Sequence, residues 1–150
     1  MPSSNEQFKD AIFQHIKFIA GYDPRIRILD VGAGMGTYAK GLPELKMDAL
    51  EIHDPYINEF KLHSLYSNVY NGNILNFDYS GYDYIIMGDV LEHITKENAI
   101  PLINDISNKK IKLIVGVPHK MPQSSKFILN EKEWDVQSEI HYQDDLTPRV

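Results

Sequence analysis

The apolar segment Ile26-Arg27-Ile28-Leu29-Asp30-Val31 runs directly into Gly32-Ala33-Gly34-Met35-Gly36, and few folds accommodate that junction. Glycines at alternate positions remove the side chains that would otherwise keep a ligand away from the backbone. A short β-branched run bounded by glycine reads as a buried parallel strand. In such sheets the ligand sits beyond the carboxyl ends of the strands, where the winding reverses.

The rest of the chain alternates in the same way. Phe8, Ile12, Ile16 and Ile19 recur at helical spacing up to Gly21, with Ser4 and Gln7 at capping-box spacing before them. A short helix is expected over residues 37–45, interrupted by Gly41 and Pro43, then a strand over 47–52 closed by Asp54-Pro55. A helix over 56–65, a weaker strand over 68–70 and a strand over 82–87 follow. From Gly88-Asp89 a helical region reaches about Ile106, bent near Pro101, and a fifth strand covers 111–117. The pattern predicts one α/β domain over the 150 residues, a three-layer α/β/α sandwich. Its doubly wound, mostly parallel sheet has the order 3-2-1-4-5, and the site lies at the ends of strands one and four.

Composition narrows the function. With no cysteine, disulfides, thiolate metal sites and cysteine nucleophiles are excluded. A net charge of −6 argues against nucleic acid as a partner, and Lys109-Lys110-Ile111-Lys112 reads as a solvated turn. No segment has the look of a leader or of a membrane span, so no membrane partner is expected and the location is read as cytoplasmic.

The glycine spacing carries more information. Here it is Gly-x-Gly-x-Gly with Asp30 two positions before Gly32, not the Gly-x-Gly-x-x-Gly of dinucleotide sites. A pyrophosphate is repelled by a neighbouring carboxylate, whereas a ligand carrying an ammonium is drawn to one. Glu51 lies 21 positions after Asp30 at the end of the second strand, where a carboxylate can accept both hydroxyls of a ribose.

On these residues, and on Tyr84-Ile85-Ile86-Met87-Gly88-Asp89-Val90-Leu91-Glu92-His93, the chain resembles the class I S-adenosylmethionine-dependent methyltransferases from about Arg27 to Pro118, in their small-molecule branch. The resemblance implies a Rossmann-like methyltransferase fold and S-adenosyl-L-methionine as cofactor, with a small-molecule acceptor methylated at oxygen or nitrogen. It implies a cofactor site of Asp30, Gly32, Ala33, Gly34, Gly36, Glu51, Asn73, Ile74 and Asp89. Asn73 and Ile74 would flank the adenine, Asn73 standing where the family often has aspartate and pairing with the adenine amino group through its carbonyl. The family usually adds a helix and a two-stranded hairpin after strand five. Only 32 residues follow Pro118, so the last strands are expected to be missing, although Thr147-Pro148 resembles a helix start. Unless residues 126–142 form a substitute hairpin, strand five is an apolar edge, and a homo-oligomer is preferred as its cover.

Methyl transfer asks mainly for positioning, with a base only where the acceptor loses a proton. If residues 89–93 are helical, Asp89 lies three positions from Glu92 and four from His93, so the groups converge at the mouth of strand four. His93 is the candidate base and Asp89 its companion, a local structural role for the imidazole remaining open. Glu92, His93 and either His119 or His141 supply ligand types of a divalent-metal site, but no spacing fixes the third ligand and no metal is assigned. Trp134, Phe127 and Tyr142 read as core rather than as a substrate wall, and His15 and His63 receive no role. A catalytically inactive module that binds the cofactor is the alternative function, and a nicotinamide dehydrogenase is disfavoured by the glycine spacing and by Asp30.

Overall fold

The structure is a computed structural model that describes residues 6–117 and 122–143; His119, Ser4 and Thr147-Pro148 fall outside these. Helix α1 (Glu6–Tyr22) precedes β1 (Ile28–Val31), whose four residues are all buried. Ile28 faces a core built from α1, α2 (Thr37–Gly41) and α3 (Asp54–Glu59), while Leu29 and Val31 face a second core under α4 (Lys96–Asn108). That alternation is why the strand is a continuous apolar run: both faces are covered.

With β2 (Asp48–Glu51), β3 (Asn68–Asn71), β4 (Tyr84–Gly88) and β5 (Lys112–Gly116) it forms a five-stranded, all-parallel sheet of order β3-β2-β1-β4-β5. The expected three-layer fold and winding are both present. In the register, Asp30 sits between Ala49 of β2 and Ile86 of β4, at the centre of the sheet.

The helices are shorter than their periodicity suggests. Helix α2 stops at Gly41. Lys61, at φ 53°, takes the left-handed conformation and ends the continuation of α3, so Leu62–Ser64 is a separate 3-10 turn. The region after β4 divides as well. Asp89 is left-handed at φ 57°, Leu91–His93 form one 3-10 turn, and α4 begins only at Lys96 after the cap residue Thr95. Pro101 is contained within α4. The helix expected to carry Asp89, Glu92 and His93 together is therefore absent.

Residues after β5 do form a hairpin, β6 (Lys126–Leu129) and β7 (Lys132–Asp135), with Asn130 and Glu131 both at positive φ as a two-residue primed turn demands. It is a separate sheet that docks on α3, so among the described residues β5 has no strand on its outer edge. Trp134 anchors the hairpin: its ring centroid lies 5.0 Å from that of Tyr56, its indole N–H donates to the Leu129 carbonyl, and Lys132 pairs with Glu59. Trp134 and Phe127 are thus core or packed against it, whereas Tyr142 is 59% exposed. No helix among the described residues is long and apolar enough to cross a membrane.

Candidate functional site

The chain returns from the hairpin across the carboxyl ends of the strands. Val136 donates to the Ser125 carbonyl, Gln123 donates its amide to the Glu139 carbonyl, and the Tyr142 N–H donates to the Glu92 carbonyl at 2.7 Å. The Gln143 side chain donates to the carbonyls of Leu91 and Ile94. This strap roofs a cavity of about 330 Å³, within the size range of small-molecule sites. Its floor is Gly32, Leu50 and Glu51, one wall is Ile52, Asn73, Ile74 and Leu75, and the other is Asp89, Val90, His93 and Ile94. Gln137, Ser138, Glu139 and Tyr142 come from the strap.

Five of the residues expected from the sequence, Gly32, Glu51, Asn73, Ile74 and Asp89, line this cavity together with His93. Glu51 is 4% exposed, with one carboxylate oxygen accepting the Gly34 N–H at 2.8 Å and the other the His53 N–H at 2.9 Å. Each oxygen keeps a lone pair for a ligand hydroxyl. Burial pushes this carboxyl up to about 7 against the pull of those N–H donors. The Asn73 side-chain oxygen accepts the Leu75 N–H and keeps a second lone pair beside the amide NH2.

Asp30, Ala33, Gly34 and Gly36 do not line the cavity. Asp30 lies beneath the turn, 1% exposed, and accepts a hydrogen bond from the Tyr66 hydroxyl. Burial raises its carboxyl to about 7, and the Glu51 charge adds to the rise. The glycines answer to protein neighbours as much as to a ligand. At Gly32, φ +69°, a Cβ would stand 2.7 Å from the Val90 side chain, and Gly36, φ +77°, faces Leu65 in the same way.

Asp89 and His93 do meet at the mouth of β4, through the left-handed turn rather than a helix. Asp89 is held by its own N–H, which donates to the Gly116 carbonyl at 2.8 Å, and its Asp side chain suits positive φ better than most. His93 Nε2 lies 3.7 Å from Glu92 Oε1 and 3.7 Å from Glu139 Oε2, while Nδ1 lies 3.4 Å from the Ile140 carbonyl. Burial, with His141 beside it, lowers the imidazole to about 4, and burial, with the Asp89 and Glu139 charges, raises the Glu92 carboxyl to about 8. The ring is neutral at pH 7, an acceptor more than a strong base. His141 reaches this group, its ring centroid 4.9 Å from that of His93. His15 and His63 are exposed and do not line the cavity. Sequence reasoning missed Tyr66 and Glu139. Nothing near Tyr66 marks it, whereas the spacing of Glu139 two residues before His141 was a signal once the strap is known to cross the strand ends.

No protein-family model matches the chain, and no curated protein matches it. Solved structures do. A S-adenosylmethionine-dependent methyltransferase from Clostridium acetobutylicum superposes with a TM-score of 0.59 at 15% identity, covering 86% of this chain and 59% of its own length. The magnesium protoporphyrin IX methyltransferase of Synechocystis, solved with bound SAH, gives 0.62 at 19% identity, covering 77% and 56%. A methyltransferase from Archaeoglobus fulgidus gives 0.55 at 17%, covering 74% and 53%. The chain has the class I S-adenosylmethionine-dependent methyltransferase fold. It spans a little over half the length of these three proteins.

Proposed function

We propose that this chain is an S-adenosylmethionine-dependent methyltransferase that methylates a small-molecule acceptor at oxygen or nitrogen. The observation that carries the reading is the convergence of Glu51, Asn73, Ile74 and Asp89 on one cavity at the carboxyl ends of β1, β2 and β4. Glu51 has the lone pairs to accept two ribose hydroxyls. Ile52, Ile74 and Leu75 offer an apolar slot for a purine, with the Asn73 amide at its rim as donor. Asp30 acts from below the turn through its charge, which an ammonium above would hold in the ionised form, and Tyr66 fixes its orientation. Ala33, Gly34 and Gly36 shape the turn, and the Gly34 N–H positions Glu51. When bound, the cofactor supplies an electrophilic methyl group on a sulfonium. Asp89 and His93 attend the acceptor, where the main demand is orientation.

Calorimetric titration with S-adenosylmethionine, SAH and NAD tests this on the wild type, Asp30→Ala and Glu51→Ala. Micromolar binding of the first two ligands, lost in both variants, and no NAD binding are expected. A wild type that ignores S-adenosylmethionine rejects the reading. Binding without turnover across an acceptor screen favours the inactive binding module.

A further inference from the structure

We propose that Glu92, His93 and His141, with Glu139 beside them, form a binding site for a divalent first-row transition cation in the wall of the cavity. One ligand atom from each of Glu92, His93 and His141 lies within 4.8 Å of the others. These residues come from two segments tied together by backbone: Glu92 and His93 from the turn after β4, Glu139 and His141 from the strap, joined through the Tyr142 N–H to the Glu92 carbonyl. The pairing is a rigid junction and not a meeting of surface side chains.

Among the described residues, the ion pairs of Glu92 and Glu139 are both with His93. Glu92 is 0% exposed, and neither of its carboxylate oxygens has a hydrogen-bond donor; Glu139 Oε2 is buried without one as well. An isolated buried carboxylate is among the most unfavourable arrangements in a protein interior, and removing that penalty requires a proton or a cation. His93 does not provide the counter-charge. With its proton on Nδ1 toward the Ile140 carbonyl, Nε2 turns a lone pair toward Glu92 Oε1 and Glu139 Oε2, each 3.7 Å away. Three acceptors then face a common point with no donor among them. A carbonyl on the distal imidazole nitrogen is also the arrangement that orients histidine ligands around metals.

Distance and chemistry select the occupant. A cation bound at about 2.0–2.2 Å holds its ligand atoms about 3–4 Å apart, so the 3.7 Å separations fit as they stand and the widest pair closes by a small rotation. Mixed imidazole and carboxylate donors favour zinc, manganese, cobalt or iron over magnesium and calcium, which prefer oxygen alone. His93 and Glu139 line the cavity, so a remaining coordination position opens toward whatever occupies it and would take an oxygen ligand.

This inference stands on the cluster and holds whether or not the protein transfers methyl groups. The test is titration of chelator-treated protein with Zn2+, Mn2+ and Co2+, followed by calorimetry and, for Co2+, by visible absorption, with S-adenosylmethionine binding measured in parallel. One equivalent bound with micromolar or tighter affinity is expected. Glu92→Gln and His141→Gln should each weaken it by more than about 10-fold, while His15→Gln on exposed α1 leaves it unchanged. Folding of each variant is checked by Trp134 fluorescence, and His141→Gln serves if Glu92→Gln does not fold. Absence of binding to folded wild type below about 1 mM overturns the site. Binding that survives both ligand variants overturns it too. A cation result of either sign leaves the cofactor reading to its own titration.

Discussion

Replacing Asp30 by asparagine should stabilise this protein, and should do so only where the carboxyl is ionised. The side chain is 1% exposed, beside Glu51, Tyr66 and Tyr38, and burial holds it at about 7 against an ordinary 3.8. A carboxyl raised by folding favours the native state fully below the unfolded value and loses that advantage as pH rises toward the folded one. Three units correspond to about 4 kcal/mol by pH 8, about 1 kcal/mol of which is already lost at pH 4.5. Asparagine keeps an oxygen to accept the Tyr66 hydroxyl, but its NH2 needs a partner, a penalty of about 1–3 kcal/mol that does not vary with pH. The informative quantity is therefore the change with pH. Urea unfolding followed by the single tryptophan, Trp134, at both pH values should show Asp30→Asn gaining about 3 kcal/mol relative to wild type on going from the lower to the higher. A difference that stays constant, or that moves the other way, would refute the claim that a buried charge is held under this turn. Retained stability together with weakened S-adenosylmethionine binding would mark Asp30 as a residue kept for binding at the expense of the fold.

Gly32→Ala should cost more than about 2 kcal/mol, combining the left-handed backbone with a collision at Val90, and adding Val90→Ala should recover only the collision; thermal unfolding of the single and double variants separates the two. Trp134→Ala should lose about 3–5 kcal/mol in urea unfolding, because the hairpin is held on α3 by that ring; a loss under 1 kcal/mol would mean the hairpin is not packed as described. The outer edge of β5, half-buried at Leu113, Ile114 and Val115, is proposed to be covered by a second copy of the chain, so sedimentation should give a homo-oligomer; a monomer at high concentration removes that proposal.

The strands were readable because their signal is local. Ile28-Leu29-Asp30-Val31 and Tyr84-Ile85-Ile86-Met87 are buried on both faces, so apolar runs and glycine boundaries mark them whatever the rest of the chain does. The helices were harder because their ends depend on single residues with unusual backbone. Lys61 and Asp89 occupy the left-handed region although neither is glycine, and no composition rule announces that. The cavity lining was legible for the same reason as the strands: Glu51, Asn73 and Asp89 sit at or just beyond strand ends, whose positions follow once the strands are placed. Asp30 was identified as an acid near the turn, but the sequence did not tell which face of the strand it takes. A residue in a strand points to one face or the other, and Asp30 faces the α1 side with Ile28, away from the cavity and toward Tyr66.

The strap explains why the sequence left the Asp89 and His93 side of the cavity open. Glu139 and His141 lie about fifty residues beyond Glu92 and His93, and no periodicity connects them; the link is made by a hairpin whose own docking depends on Trp134 entering the α3 core. A tail that could have lengthened the sheet at β5 instead crosses the strand ends in the opposite direction. Two backbone N–H groups, from Tyr142 and Gln143, then bind the Glu92 carbonyl, closing the cavity on the side of Asp89 and His93. The consequence is a coupling between stability and site. Loosening the hairpin core withdraws Glu139, His141 and Tyr142 together, so Trp134→Ala should weaken cation binding even though the residue touches no proposed ligand. Cofactor affinity, proposed to rest on Glu51 in β2 and Asn73 just beyond β3, should fall less. Equal losses would instead show that the strap and the sheet end behave as one unit.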